Sequence, residues 1–143
     1  MAPDQTEAVA HRWHLEVVQA GKLAVADDIL APDVVIHANG QEVRGIDGAK
    51  QLASAIHTAF PDAQITHHEA LVSGDRVAIR WTTDATHQGP YFGVAPTGKR
   101  VHLEGLDLCH LSGGKITALW IEYDNLGLMQ QMGAVPTPGQ PGQ

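Results

Sequence analysis

The chain of 143 residues has nine Lys and Arg against sixteen Asp and Glu, a formal net charge of −7. That balance argues against nucleic acid or an anionic membrane as its main partner. Hydrophobic residues at 43% and charged residues at 17% describe a globular domain of ordinary size. With no apolar run long enough to span a bilayer, no secretory leader and a single cysteine, Cys109, it reads as a soluble cytoplasmic protein without a disulfide framework.

Residues 4–20 pattern as an amphipathic helix: Asp4 and Glu7 have the spacing of a capping box, and Val9, Trp13 and Val17 recur on one stripe. Gly21 ends it, and Leu23 to Leu30 forms a short second helix stopped by Ala31-Pro32. Val34-Val-Ile-His37 is a brief strand closed by the turn residues Asn39-Gly40. Asp47 caps a third helix carrying Leu52, Ala53, Ile56 and Phe60 on one face and ending at Pro61. The period then switches to alternation, predicting strands over Gln64–Val72, Arg76–Thr86, Arg100–Leu111 and Lys115–Tyr123. Ser73-Gly-Asp75 and Ser112-Gly-Gly114 make hairpin turns between neighbours. A short helix from Leu126 to Met132 closes a single domain over 1–133, followed by a Pro- and Gly-rich tail, 134–143, expected to be disordered. Helices first and an antiparallel meander after them make an α+β fold.

The last strand places Trp120, Glu122 and Asp124 on one face. A carboxylate among aromatic and aliphatic side chains is costly to bury unless it is paired, protonated or used, which marks Asp124 as the first candidate for chemistry. Asp is also a favoured helix cap, and the final short helix begins just beyond it. On the preceding strand His102 and Glu104 share one face, Asp107 and Cys109 the other. Either Glu104 or Asp107 could reach a pocket, and the reading leans to Glu104. His37 ends the first strand, and His87 precedes Gly89 in the stretch Thr86-His-Gln-Gly89-Pro-Tyr-Phe-Gly93, where a loop-orienting role is favoured. Trp13, Trp81, Tyr91, Phe92 and Trp120 are core residues by default and pocket walls by alternative, with Trp120 the best wall candidate.

Nine histidines raise a metal site. His11 and His14 are three apart on a helix and His67-His68 are adjacent on a strand, but neither pair has a metalloenzyme spacing, so no metal is expected. No Gly-x-Ser-x-Gly elbow, phosphate-binding loop or dinucleotide fingerprint occurs.

Several stretches taken together resemble the SnoaL-like polyketide cyclase family of the NTF2-like superfamily. They are Val34-Val-Ile-His37, Phe60-Pro-Asp62, Ser73-Gly-Asp75-Arg-Val-Ala-Ile-Arg80-Trp81, Thr86-His-Gln-Gly89, Gly93-Val-Ala-Pro-Thr-Gly-Lys99, Gly114-Lys-Ile116, Trp120 with Asp124, and Gln131-Met-Gly133. The resemblance spans roughly residues 6–133. It implies a cone of helices on a strongly curved, mostly antiparallel sheet with a deep apolar pocket, often dimeric through the sheet. It further implies cofactor-free aldol ring closure of a polyketide ester, with Asp124 as general acid and base and with His37 and Glu104 as polar helpers. Trp120, Trp81, Glu122, Phe92 and His87 are then expected around a hydrophobic small-molecule substrate. Epoxide hydrolysis, a double-bond shift and a non-catalytic hydrophobic-ligand carrier are the alternatives. Epoxide chemistry in this fold needs an arginine between two aspartates, and no Arg-x-Asp spacing sets Arg80 or Arg100 beside Asp107 or Asp124.

Overall fold

A computed structural model describes residues 2–136. Helix α1 (Pro3–Arg12) runs without a break into a π-helical segment, Trp13–Gln19, and α2 (Val25–Ile29) follows. Strand β1 (Leu30–Ala38) and β2 (Gln41–Arg44) precede the long helix α3 (Gly45–Ala59). The meander is β3 (Gln64–Ser73), β4 (Arg76–Thr86), β5 (Arg100–Ser112) and β6 (Lys115–Tyr123), and α4 (Asn125–Gln131) closes the chain. Of the tail expected to be disordered, residues 137–143 lie outside the described residues.

The six strands form one sheet in the order β2-β1-β6-β5-β4-β3. Every pairing is antiparallel except β1 on β6, where Ile36 faces Leu119 in parallel register. Helices layered on one side of a curved, mostly antiparallel sheet make the α+β, NTF2-like cone that the sequence predicts. Its concave face packs on α1 and α3 through Trp13, Val17, Ala49, Ala53, Ile79 and Leu119, each with at most 1% of its surface exposed. Alanines at the α3 contact let that helix approach the sheet closely. A second buried cluster, including Phe60, Ala85, Tyr91, Val101 and Leu128, fills the other end beneath α4.

Four local expectations change, the first being that Asp47 does not cap α3: the helix already begins at Gly45, Asp47 lies within its first turn, and the N-cap position is Arg44. Gln5, not Glu7, reaches back to the helix start, accepting from the Ala2 backbone N–H at 3.2 Å, so the Asp4–Glu7 capping box does not form. The second helix is shorter than expected because the chain is extended from Leu30, with Pro32 in a break of register where no ladder N–H is required of it. Asn39 and Gly40 both adopt positive φ, 47° and 84°, the conformation of a two-residue hairpin turn, so the chain folds back into β2 rather than simply ending its strand.

Candidate active site

Where the two apolar clusters meet, a cavity opens between α3 and the concave sheet. Its walls include Trp13, Ile56, Phe60, Trp81, Val101 and Ile121. Polar side chains also line it: His14 from the π-helical segment, Thr83 from β4, Tyr91 from the β4–β5 connection and Tyr123 from the end of β6.

Behind His14 and Trp81 lies Asp107, with 1% of its surface exposed. Its strand pairs Asp107 with Ile79 on one side and Ile121 on the other, so aliphatic neighbours flank the carboxylate within the sheet. Isolated there, a carboxylate would be strongly disfavoured. Two donors hold it instead: Trp81 Nε1 donates to Oδ1 at 2.8 Å, and His14 Nε2 approaches Oδ2 at 2.7 Å. The Trp81 contact depends on Gly105, the cross-strand partner of Trp81. A Cβ at position 105 would lie 2.2 Å from the Trp81 ring, so only glycine lets the indole lie down over β5 toward Asp107.

Two departures from regular geometry set the histidines. His14 sits within the π-helical segment, a feature that recurs at functional sites. On β3, His67 pairs with Trp81 and Glu69 with Arg80, leaving His68 as an extra, bulged residue. The bulge resets the alternation, so Ile65 and His67 point inward before it and Ala70 and Val72 after it. His67 then reaches His14 from the sheet, Nε2 to Nδ1 at 2.8 Å, and its other ring nitrogen reaches Nδ1 of His11. Burial, then the neighbouring His14, His11 and His68 rings, lowers the His67 pKa from 6.5 to about 3, so this ring is neutral. Across the cavity the hydroxyls of Tyr91 and Tyr123 are 2.7 Å apart, and Tyr91 donates to Asn125 Oδ1 at 2.9 Å. Burial raises both phenols above their ordinary range, Tyr91 the further, which keeps them as neutral O–H donors.

Helices on a curved, mostly antiparallel sheet are an architecture that this chain shares with known proteins. The sequence profile of the SnoaL-like polyketide cyclases matches residues 8–132. The chain belongs to the SnoaL-like polyketide cyclase family. Among solved structures, AclR of Streptomyces galilaeus, a candidate hydroxylase, is 27% identical with a TM-score of 0.83, over 97% of this chain and 87% of that one. IdmH of Streptomyces antibioticus, a candidate polyketide cyclase, is 27% identical with a TM-score of 0.75, over 93% of this chain and 99% of that one. A candidate SnoaL-like cyclase from Jannaschia sp. CCS1 shares the fold at 23% identity and a TM-score of 0.86, covering 95% and 98%. No protein of curated function matches the chain.

Within this SnoaL-like domain the residues singled out from sequence divide between the two faces of the sheet. On β6 the inward residues are Leu119, Ile121 and Tyr123, so Trp120 and Glu122 lie on the convex side. Trp120 stacks on His37 there, ring centroids 4.9 Å apart, and does not line the cavity. His37 itself is 3.9 Å from Glu42 of β2. Glu104 is exposed on the convex side beside His102, while Asp107 is the buried member of that strand. Asp124 is exposed, and its Oδ1 accepts from the Gly127 backbone N–H at 2.9 Å, the helix-cap role that competed with chemistry in the sequence. Phe92 is 68% exposed on a turn with φ 41°. His87 is fully buried, its Nδ1 2.9 Å from Thr97 Oγ1, and it organises the β4–β5 connection outside the cavity. Of the expected pocket residues, Trp81 lines the cavity. Arg80 pairs with Glu69 and Arg100 with Asp62, neither of them beside Asp107.

The sequence weighs Asp107 against Glu104 without preferring it and offers Tyr91 and Trp13 only as alternative pocket walls, while it assigns neither His14 nor Tyr123 to the pocket. Asp107 and Cys109 alternate with Leu103 and Leu111 as the inward set of β5, and that was the signal available.

Proposed function

We propose that this SnoaL-like domain is a cofactor-independent acid/base enzyme that closes a ring in a hydrophobic, polyketide-type ester by intramolecular aldol addition. One observation carries the reading: a carboxylate, Asp107, buried behind an apolar cavity and held by Trp81 and His14. Asp107 removes a proton from the carbon alpha to a carbonyl, which the substrate must bring past His14 and Trp81 to reach the carboxylate. The enolate carbon attacks a second carbonyl of the same molecule, a C–C bond forms, and the resulting alkoxide takes the proton back from Asp107. Tyr123, whose O–H donates to Tyr91 in this structure, turns that proton to the enolate oxygen and stabilises it. Positioned acid/base groups of this kind contribute about 10²–10⁴ in rate. Asp124 serves the site at a distance by capping α4, whose first residue, Asn125, holds Tyr91.

The family description supports cyclase chemistry and leaves the ester to be found. The exposed Leu71 of β3 and Leu106 of β5 support a homodimer packed through the convex sheet, which light scattering would test. The lone, buried Cys109 is in keeping with a reducing cytoplasm.

The test uses an aromatic β-keto ester as probe and follows deuterium entering its alpha carbon in D2O. The wild-type protein accelerates entry, and Asp107→Asn removes about 100-fold or more of that acceleration. A probe that binds tightly with no acceleration, in wild type and variant alike, would make the domain a hydrophobic-ligand carrier instead.

A further inference from the structure

The histidines around Asp107 form one continuous line. Asp107 Oδ2 meets His14 Nε2 at 2.7 Å, His14 Nδ1 meets His67 Nε2 at 2.8 Å, His67 Nδ1 meets His11 Nδ1, and His11 Nε2 meets Glu7 Oε2 at 3.0 Å. The line runs from a carboxylate 1% exposed to a carboxylate whose side chain is 40% exposed, through α1 and β3 and away from the cavity. His67 uses opposite nitrogens toward His14 and His11, so one metal ion could not take both contacts. Each neutral imidazole has one N–H and one lone pair, which is what a link that accepts on one side and donates on the other requires.

With Asp107 as the resting carboxylate that the proposed chemistry requires, both of its oxygens accept and His14 carries its proton on Nε2. His14 Nδ1 is then bare and must accept from His67 Nε2–H, and His67 Nδ1 must accept from His11 Nδ1–H. His11 satisfies Glu7 as well only by carrying both protons. Every junction is filled in this arrangement and again in its shifted counterpart, in which Asp107 Oδ2 carries the proton, His14 and His67 donate from Nδ1 and His11 is neutral. Burial and the His11, His14 and His68 rings keep His67 neutral, so it transmits without holding the charge.

We infer that Asp107, His14, His67 and His11 form a proton relay that switches Asp107 between base and acid while substrate fills the cavity. Three protons move one bond each: His11 Nδ1 to His67 Nδ1, His67 Nε2 to His14 Nδ1, and His14 Nε2 to Asp107. His11 becomes neutral and Asp107 becomes a carboxylic acid, with no atom gained or lost; the reverse shift restores the carboxylate. Glu7, at the outer end, holds His11 for exchange with water. His14, His67 and His11 are thus positioning residues for the chemistry proposed at Asp107, and this inference rests on that reading.

Two measurements test it. Nitrogen-15 NMR of the imidazoles in the substrate-free protein should find the proton on the same ring nitrogen, Nε2, in His14 and His67. Protons on unlike nitrogens would set two N–H groups or two lone pairs against each other and overturn the relay, whatever the enzyme's reaction. In the deuterium-entry assay, His67→Ala should slow entry at least tenfold, added imidazole should restore it, and 1-methylimidazole, which has the shape but no N–H, should not. No slowing, restoration by both, or restoration by neither overturns the relay. Asp107→Asn failing to slow entry would sink the site reading separately.

Discussion

Two aspartates belong to neighbouring strands, one mid-strand and one just past a strand end, and the structure treats them oppositely. Asp107, within β5, is buried between Ile79 and Ile121 and receives donors from two other elements, Trp81 of β4 and His14 of the first helix. Asp124, just past β6, is exposed and receives a single backbone N–H from the helix it begins. The same side chain is a tertiary hub in one place and a local cap in the other. The difference teaches that burial with partners drawn from distant segments, rather than the company of aromatic neighbours in sequence, distinguishes a chemical candidate from a structural one.

Removing each carboxylate should separate them most widely. Asp107→Ala strands two buried donors, Trp81 Nε1 and His14 Nε2, and should cost about 3–5 kcal/mol in urea unfolding. The glycines beside the two aspartates give the next contrast. Gly105→Ala drives a Cβ into the Trp81 ring at 2.2 Å, where the indole is boxed in, and should cost about 1–3 kcal/mol. Gly127→Ala brings a Cβ equally close, 2.3 Å, to Asp124 Oδ2, but that carboxylate is free to swing into water. Better helix propensity, about 1 kcal/mol, then offsets the lost cap, and thermal unfolding should barely move. Asp124→Ala should cost only about 1 kcal/mol, the ordinary worth of an N-cap.

The last contrast concerns pH. The His67 pKa is depressed from 6.5 to about 3 in the folded protein. As pH falls below 6.5 the unfolded chain takes up this proton first, so the contribution of neutral His67 is whole above 6.5 and is lost toward pH 3. The melting temperature of His67→Gln should therefore fall less steeply than that of wild type over this interval. Parallel curves would mean that His67 is not held neutral.

The fold was legible because its signals are local. The apolar stripe of the first helix, the break at Pro61 and the turns at Ser73–Asp75 and Ser112–Gly114 each act within a few residues. What sequence missed depends on register between segments far apart. Alternation along β6 correctly put Trp120 and Glu122 together but carried no information on which face is concave. Likewise His102 and Glu104 separate from Asp107 and Cys109 by parity alone, and the choice of Glu104 failed because the inward set is fixed by Trp81, packed over Gly105. His14 and His67 meet only because a π-helical segment and a β-bulge both fall at their positions, and neither departure has a sequence signature as plain as a turn.

The most direct measurement compares deuterium entry into the β-keto ester catalysed by Asp107→Asn and by Asp124→Asn. Asparagine keeps the cap at position 124, so that variant should stay within about twofold of wild type. Asp107→Asn should fall about 100-fold or more, with circular dichroism unchanged in both. The opposite order, full activity without the Asp107 carboxylate and loss without that of Asp124, would contradict the account at its centre.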